Sequence, residues 1–169
     1  MKNSETLRVE PNGEREVVMT RIFDAPRELI FEAWTTPDLL KRWLYGPKDS
    51  LAICEIDLKV GGGLRFVWRQ PNGTDMGMGG VFREITAPER LVFTENWDED
   101  WTGGEAIVTI TFIERAGKTT MTQTVLYSSG SARDAVLKTR MAEGVTLAYE
   151  RLAQLLVTSL LRRGSQASA

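Results

Sequence analysis

Apolar and polar side chains alternate with a period of two through much of the middle of the chain. Val108, Ile110 and Phe112 share one face of such a segment, whereas Thr109 and Thr111 take the other. This alternation is typical of an antiparallel strand with one buried face and one wet face. Segments with this alternation, or rich in β-branched residues, cover residues 16–23, 51–59, 63–70, 76–86, 90–98, 105–115 and 119–128. The sequence therefore predicts about seven strands, the last six in antiparallel succession.

The spacing changes between the first and the second of these strands. Ile30 and Trp34 recur at helical spacing after Pro26, which suits the first position of a helix. A second short helix follows Thr36, which is expected to cap it, and ends before Gly46. The element order is thus one strand, two short helices and six strands.

A long amphipathic helix is predicted after the last strand. Apolar residues recur every three or four positions from Leu137 to Leu155, and Ser131 is placed to cap the helix. A helix from there to about Leu160 would be roughly 45 Å long, enough to cross a whole sheet. The predicted fold is therefore α+β, a curved antiparallel sheet wrapped around a long C-terminal helix.

The 169 residues have the length of one domain, expected over residues 15–160. Residues 1–14 are expected to be a flexible segment, and residues 161–169, which are small and polar, a disordered tail. The polar N-terminal residues lack the apolar core of a signal peptide, and no run of about 18 apolar residues predicts a membrane span. The single cysteine, Cys54, cannot form an internal disulfide, so we expect a cytoplasmic protein.

Composition narrows the possible chemistry. The formal net charge of -2, with both signs mixed along the chain, argues against nucleic-acid binding. The chain contains no histidine, which excludes Ser-His-Asp and Cys-His nucleophile systems and His-based zinc sites. The acidic segment 95–101 lacks the spacing of a calcium-binding EF-hand. Without histidine, any chemistry would have to use carboxylates, tyrosine, lysine or a cofactor. The sequence has no metal or nucleotide-binding motif, and we expect neither a metal nor a cofactor.

Several short motifs follow one another in a specific order along residues 15–157. They are Asp24-Ala25-Pro26, Phe31-Glu32-Ala33-Trp34, Thr36-Pro37-Asp38, Arg42-Trp43, Gly46-Pro47, Gly61-Gly62, Gly80-Val81-Phe82, Pro88-Glu89-Arg90 and Glu143-Gly144. In this order they resemble the helix-grip (SRPBCC) superfamily of the birch-pollen allergen and the START domains. Within it, the chain is similar to the family of the C-terminal domain of the Hsp90 ATPase activator. The resemblance implies a ligand cavity between the sheet and the last helix.

Two positions depart from the pattern of that family. Leu44 follows Trp43, where the family often has a second tryptophan, and Val145 follows Gly144, where the family often has tryptophan. Both positions would shape the cavity, so the ligand of a relative does not carry over to this chain. Gly144 itself lies within a predicted helix, at a cost of about 1 kcal/mol relative to alanine, which suggests that something approaches the helix closely there.

The residues expected to line the cavity are aromatic side chains and methionines, with two polar side chains among them. They are Trp34, Trp43, Phe66, Trp68, Met76, Met78, Phe82, Phe93, Glu95, Trp97, Phe112, Met121, Gln123, Met141, Val145 and Tyr149. Trp43 would fill apolar space at one end of the cavity, and Tyr45 would lie at its rim.

Glu95 and Gln123 each alternate with apolar neighbours, so both are expected on the apolar face of the sheet. An unpaired buried polar group costs about 1–3 kcal/mol, so each needs a partner. That partner is the backbone, buried water, Arg21 or Arg69, or else a polar group on a ligand.

Three functions follow from these observations. The first is binding of a small hydrophobic or amphipathic molecule without turnover, in a stress response, by a monomer or a homodimer. The second is a cofactor-free enzyme of the cyclase, hydrolase or dehydratase type, with Glu95 as acid-base and Gln123 or Tyr127 orienting the substrate. The third is a co-chaperone-like activator of an Hsp90-type ATPase. Against the third, we expect no separate N-terminal domain of the kind with which the eukaryotic activator contacts its chaperone.

Overall fold

The computed structural model describes residues 7–167, and the side chains of residues 7–164. The predicted α+β architecture is confirmed: one open antiparallel sheet packs against a long C-terminal helix. The strands are β1 (Arg8–Asn12), β2 (Glu16–Phe23), β3 (Ser50–Ile56), β4 (Gly63–Arg69), β5 (Asp75–Thr86), β6 (Arg90–Trp97), β7 (Ala106–Arg115) and β8 (Lys118–Leu126). The helices are α1 (Arg27–Thr35), α2 (Pro37–Leu40), α3 (Gly130–Leu137) and α4 (Met141–Ala167). The strand order is β1-β2-β8-β7-β6-β5-β4-β3.

The described part of the sheet has eight strands rather than seven. The additional strand, β1, lies in the segment predicted to be flexible and pairs antiparallel with β2, from Arg8 opposite Thr20 to Asn12 opposite Glu16. Most of its side chains are exposed, so it has no hydrophobic alternation by which the sequence could reveal it. Backbone hydrogen bonds to the edge of β2 hold it in place. Residues 1–6 of the same predicted segment lie outside the described residues.

The predicted long helix is two helices. Ser129, not Ser131, caps α3, because its hydroxyl accepts a hydrogen bond from the amide of Ala132 at 3.0 Å. Thr139 separates α3 from α4: its hydroxyl donates to the carbonyl of Val136 at 2.7 Å and accepts from the amide of Met141 at 3.2 Å. The apolar spacing continues across this break, so periodicity alone does not show it. Helix α4 then extends to Ala167, through most of the tail predicted to be disordered.

The turn from α1 into α2 is organised by a proline. The carbonyl of Ala33 would normally accept from the amide four residues later, but Pro37 has no N–H. The indole Nε1 of Trp43 donates to this carbonyl instead, at 3.1 Å. Trp43 is fully buried and packs edge-on against Trp34, with ring centroids 4.8 Å apart. Thr36 is the N-cap residue of α2, but its side chain makes no capping hydrogen bond, contrary to the sequence prediction.

The core lies between the inner face of the sheet and α1 and α4. Helix α4 contributes Ala148, Tyr149, Leu152, Leu155 and Leu156, all buried. Two irregularities in strand pairing, between residues 51 and 53 and between residues 82 and 84, interrupt the regular register of the sheet. Sheet and helices are in direct contact along part of this layer and separate from each other near the start of α4, where a cavity lies.

Candidate functional site

A cavity of two adjoining chambers lies between the sheet and the N-terminal half of α4. The inner chamber has a volume of about 170 Å³, and the outer chamber about 630 Å³. Residues from the loop after α2, from β4, β6 and β8, and from α4 border both chambers: Gly46, Trp68, Glu95, Trp97, Gln123, Gly144 and Val145. The combined space is in the size range of small-molecule binding sites.

Alternating residues of two strands, β4 and β6, form much of the sheet side of the inner chamber. Phe66 and Trp68 of β4 share a face, as do Phe93, Glu95 and Trp97 of β6. Because side chains alternate along a strand, each of these groups points to the same side of the sheet. The wall is therefore apolar and aromatic, with few polar groups.

Ten of the sixteen residues predicted to line a cavity border the inner chamber: Trp34, Phe66, Trp68, Met78, Phe93, Glu95, Trp97, Gln123, Val145 and Tyr149. Met76 and Met141 border the outer chamber. The structure brings these twelve together around one space. Tyr127, the alternative catalytic residue, borders the outer chamber as well.

The remaining four predicted residues belong to the solid core instead. Trp43, Phe82, Phe112 and Met121 are each at most 3% exposed and border neither chamber. Phe112 and Met121 are cross-strand partners, and α1 covers them: Phe31 packs edge-on against Phe112, and Trp34 Nε1 donates to Met121 Sδ at 3.1 Å. The alternation along a strand identifies the inner face but does not show which part of it a helix covers.

Sequence reasoning also missed some of the lining. Ala148 borders the inner chamber, and Met19, Asp49, Glu99, Val125, Thr139 and Arg140 border the outer one. Leu44, at a position expected to shape the cavity, also borders the inner chamber. The outer lining also includes Trp101, which the sequence, by contrast, places beside Trp97 at the entrance of the cavity. The small residues Gly144 and Ala148 are four apart on one helix and therefore share a face. That pair of small side chains is a signal in the sequence for open space beside α4.

Gly144 does not serve a close contact with protein atoms. A Cβ built on this residue would meet no heavy atom within 4 Å, and the residue borders both chambers. The expectation that something approaches the helix closely here is therefore wrong for the described protein atoms. The glycine instead leaves space, and any larger side chain would extend into the cavity.

Glu95 is the one acidic residue that borders both chambers. Its Oε1 accepts a hydrogen bond from Trp97 Nε1 at 3.0 Å. The side chain is half-buried, and its accessible surface faces the cavity. Burial raises the pKa of its carboxyl group above the ordinary value of 4.5, and the hydrogen bond from Trp97 opposes this only in part. Neither Arg21 nor Arg69 pairs with Glu95, because they bind Glu150 and Asp75 respectively.

Two tyrosines add polar atoms near Glu95. The hydroxyl of Tyr149, which is fully buried, donates to Oε1 of Gln123, so the amide nitrogen of Gln123 stays available to a ligand. Tyr127 is 5% exposed and borders the outer chamber, and its hydroxyl has no hydrogen-bond partner among residues 7–164. Burial, and secondarily the charge of Glu95, raise the pKa of Tyr127, so its hydroxyl keeps its proton at neutral pH.

The loop after α2 closes one side of the cavity and is fastened to α4 by Arg151. The guanidinium of Arg151 donates to the carbonyl of Tyr45 at 2.6 Å and of Gly46 at 3.3 Å. It also stacks over the Tyr45 ring, 3.9 Å from the ring centroid. Tyr45 is half-buried at the edge of the inner chamber, as a rim residue would be.

Residues 7–167 contain no group of three or more histidine, cysteine or acidic side chains that could hold a metal ion. None of the helices described is long and apolar enough to cross a membrane. Cys54 is buried, and burial raises the pKa of its thiol to about 11, so it is a poor nucleophile.

An antiparallel sheet that packs against a C-terminal helix, with a cavity between them, defines a helix-grip protein. The chain belongs to the family described as Activator of Hsp90 ATPase homolog 1-like protein, whose model matches residues 24–157. This confirms the family resemblance that the motifs indicate. No curated protein matches the chain.

Solved structures agree with this assignment. The chain is similar to a protein of Rhodobacter sphaeroides at 32% identity, over 90% of this chain and 99% of that one, with a TM-score of 0.86. A protein of Nitrosomonas europaea is 23% identical over 89% of this chain and 99% of its own, with a TM-score of 0.79. A protein of Mycobacterium smegmatis is 23% identical over 89% and 96%, with a TM-score of 0.78. The last two show the fold alone.

Proposed function

We propose that this protein binds a small hydrophobic or amphipathic molecule in the cavity between its sheet and α4, without turnover. The observation that carries the proposal is the two-chambered space, whose walls are largely aromatic residues and methionine, with most of its polar groups around the outer chamber. Such walls suit an apolar ligand whose orientation a few polar groups fix. Family membership supports the proposal, because the helix-grip fold leaves space at this position.

Gly144 provides a direct test of where the ligand binds. In Gly144→Leu, four carbon atoms would extend into the cavity without meeting protein atoms near the backbone. The variant should therefore fold, because leucine favours a helix more than glycine does, and it should lose the ligand. Gly164→Leu, on the same helix and exposed, is the matched control.

Native mass spectrometry and thermal shift after incubation with a lipid and metabolite extract would reveal the ligand. We expect added mass and a higher Tm for the wild type and for Gly164→Leu, and neither for Gly144→Leu. Equal retention by both variants would show that the cavity is not the binding site. A wild-type protein that retains nothing from the extract would contradict the proposed function.

Catalysis is a second candidate, favoured by one observation. Glu95 combines a raised pKa with a position beside the unpaired hydroxyl of Tyr127, an arrangement suited to proton transfer. If the protein is an enzyme, the extract component that the wild type retains should be converted over time. Glu95→Gln should then retain it unchanged. Identical recovery of intact ligand from both proteins would leave binding without turnover.

The family description also points to an Hsp90-type ATPase as a partner. The ATPase rate of the Hsp90 homologue from the same source, measured with increasing amounts of this protein, would test that role. A rate that does not change at saturating protein would exclude stimulation. This measurement is independent of the ligand experiments, because it requires no occupant in the cavity.

A further inference from the structure

Three carboxyl groups border the outer chamber, and none of them has a cationic partner within the described side chains. Asp49 accepts the Gly46 amide at 2.5 Å, Glu95 accepts only Trp97, and Glu99 is exposed. The single guanidinium in the lining belongs to Arg140, an exposed residue at the mouth of the chamber. The balance of formal charge around the chamber is therefore negative.

Three indole rings follow one another along the same chamber. Trp68 and Trp97 are stacked, with centroids 5.5 Å apart and planes 28° from parallel. Trp97 and Trp101 are tilted by 58°, with centroids 5.4 Å apart. Trp101 is 40% exposed, so this row of rings extends from the inner chamber to the surface. Indole faces are the aromatic surfaces to which cations bind best.

An unpartnered polar side chain also faces this space. Tyr127 is 95% buried, yet its hydroxyl has no hydrogen-bond partner among residues 7–164. Its oxygen can accept a hydrogen bond, and so can the Glu95 carboxyl oxygen that Trp97 does not use. The Tyr127 oxygen is open to the chamber rather than fully buried, so a ligand that donates a hydrogen bond would take the place of water there.

We propose that the ligand is an amphipathic cation, with an ammonium or amine head in the outer chamber and an apolar body in the inner one. The inference rests on the proposed function and deepens it. The head would donate hydrogen bonds to Glu95 and Tyr127 and lie against the indole row. The apolar body would pass Trp68 into the inner chamber, which is lined by Trp34, Phe66 and other apolar residues.

Other ligand classes match these groups less well. An anion would approach three carboxyl groups, and the exposed Arg140 is the one cationic side chain in the lining of the outer chamber. A neutral molecule would bring no positive charge to offset the free-energy cost of burying the Glu95 carboxylate. A cation beside Glu95 favours that charged form and so opposes the burial that raises the pKa. The other titratable groups that line the outer chamber are Asp49, Glu99, Tyr127 and Arg140.

Four molecules with the same ten-carbon chain separate the effect of the head from that of the chain: decylammonium, decyltrimethylammonium, decanol and decanoate. Tryptophan emission and titration calorimetry near pH 7, below the concentration at which each probe forms micelles, would measure the dissociation constants. We expect decylammonium to bind about tenfold more tightly than decanol, and decanoate to bind most weakly. Decyltrimethylammonium, which cannot donate hydrogen bonds, should fall between decylammonium and decanol.

Two variants identify the groups responsible. Glu95→Gln and Tyr127→Phe should each reduce the preference for decylammonium over decanol, with decanol affinity kept. Glu84→Gln, which removes a carboxylate that pairs with Arg90 outside the cavity, should change neither affinity. If Glu95→Gln does not fold, Tyr127→Phe still decides, because it keeps the buried ring.

The outcomes separate the two proposals. Equal binding of decanol and decylammonium by the wild type would overturn the cationic head and leave the proposed function standing. Tighter binding of decanoate would do the same. Binding of none of the four probes would count against both. A cation preference that persists unchanged in Glu95→Gln and in Tyr127→Phe would overturn the assignment of the head to these groups.

Discussion

Replacement of Trp43 by alanine tests how the helical turn beside the cavity is held. Trp43 is fully buried, and its indole nitrogen supplies the hydrogen bond that Ala33 cannot receive from Pro37. Removal of a buried tryptophan side chain typically costs about 3–5 kcal/mol. Because the Ala33 carbonyl would also lose its partner, we expect Trp43→Ala to fall in the upper half of that range.

Trp43→Phe separates the two contributions to this cost. Phenylalanine keeps an aromatic ring in the core but has no N–H, so it should cost about 1–3 kcal/mol. Trp101→Ala is the matched control, because Trp101 is 40% exposed and its loss should cost less than about 1 kcal/mol. Guanidinium denaturation followed by far-ultraviolet circular dichroism measures all three, without dependence on tryptophan emission.

A Trp43→Ala protein within about 0.5 kcal/mol of the wild type would show that Trp43 is not a core residue. A Trp43→Phe protein as stable as the wild type would show that the hydrogen bond to Ala33 contributes nothing. If Trp43→Ala does not fold at all, the comparison of Trp43→Phe with the wild type still tests the hydrogen bond.

Three further predictions follow from the cavity and its loop. Gly144→Ala should raise the free energy of unfolding by up to about 1 kcal/mol, because a methyl group there meets no protein atom; a loss of stability in the same denaturation assay would contradict the open space. The raised pKa of Glu95 means that the folded protein holds this proton more tightly than the unfolded chain does. The free energy of unfolding should therefore fall as the pH rises from about 4.5 towards that raised pKa. Unfolding curves measured across this pH range should show a smaller fall for Glu95→Gln than for the wild type. The same pH dependence in both proteins would count against a buried carboxyl group. Arg151→Ala should speed hydrogen exchange of the amides in residues 44–49, since Arg151 fastens that loop to α4; unchanged exchange would mean that other contacts hold the loop.

The sheet was predictable from sequence wherever one face of a strand is buried. Val108, Ile110 and Phe112 alternate with threonines because the two faces of β7 meet different surroundings. Strand β1 has no such contrast, since it is an edge strand held chiefly by backbone hydrogen bonds. The break at Thr139 could not be predicted for a related reason. Helices α3 and α4 both bury apolar residues, so the apolar spacing continues across the break. The hydrogen bonds of the Thr139 hydroxyl, which end one helix and begin the next, do not change that spacing.

The sequence was enough to predict which face of the sheet borders the candidate site, but not which part of that face borders a cavity. Phe93 and Phe112 follow the same alternation, yet Phe93 borders the cavity and Phe112 lies beneath α1. Which part of the sheet a helix covers depends on tertiary packing that no local pattern encodes. The partners of Glu95 depended equally on that packing, since Arg21 and Arg69 are each engaged by another acidic residue.

The α4 wall of the cavity includes Gly144, Val145 and Ala148, three residues with small side chains on a helix that otherwise packs firmly against the sheet. Single substitutions on this one helix face can therefore enlarge, shrink or fill the cavity while the strands that build the fold stay as they are. Divergence of ligand preference within such a family requires no remodelling of the scaffold, and the same three positions offer a route for redesigning what the protein accepts.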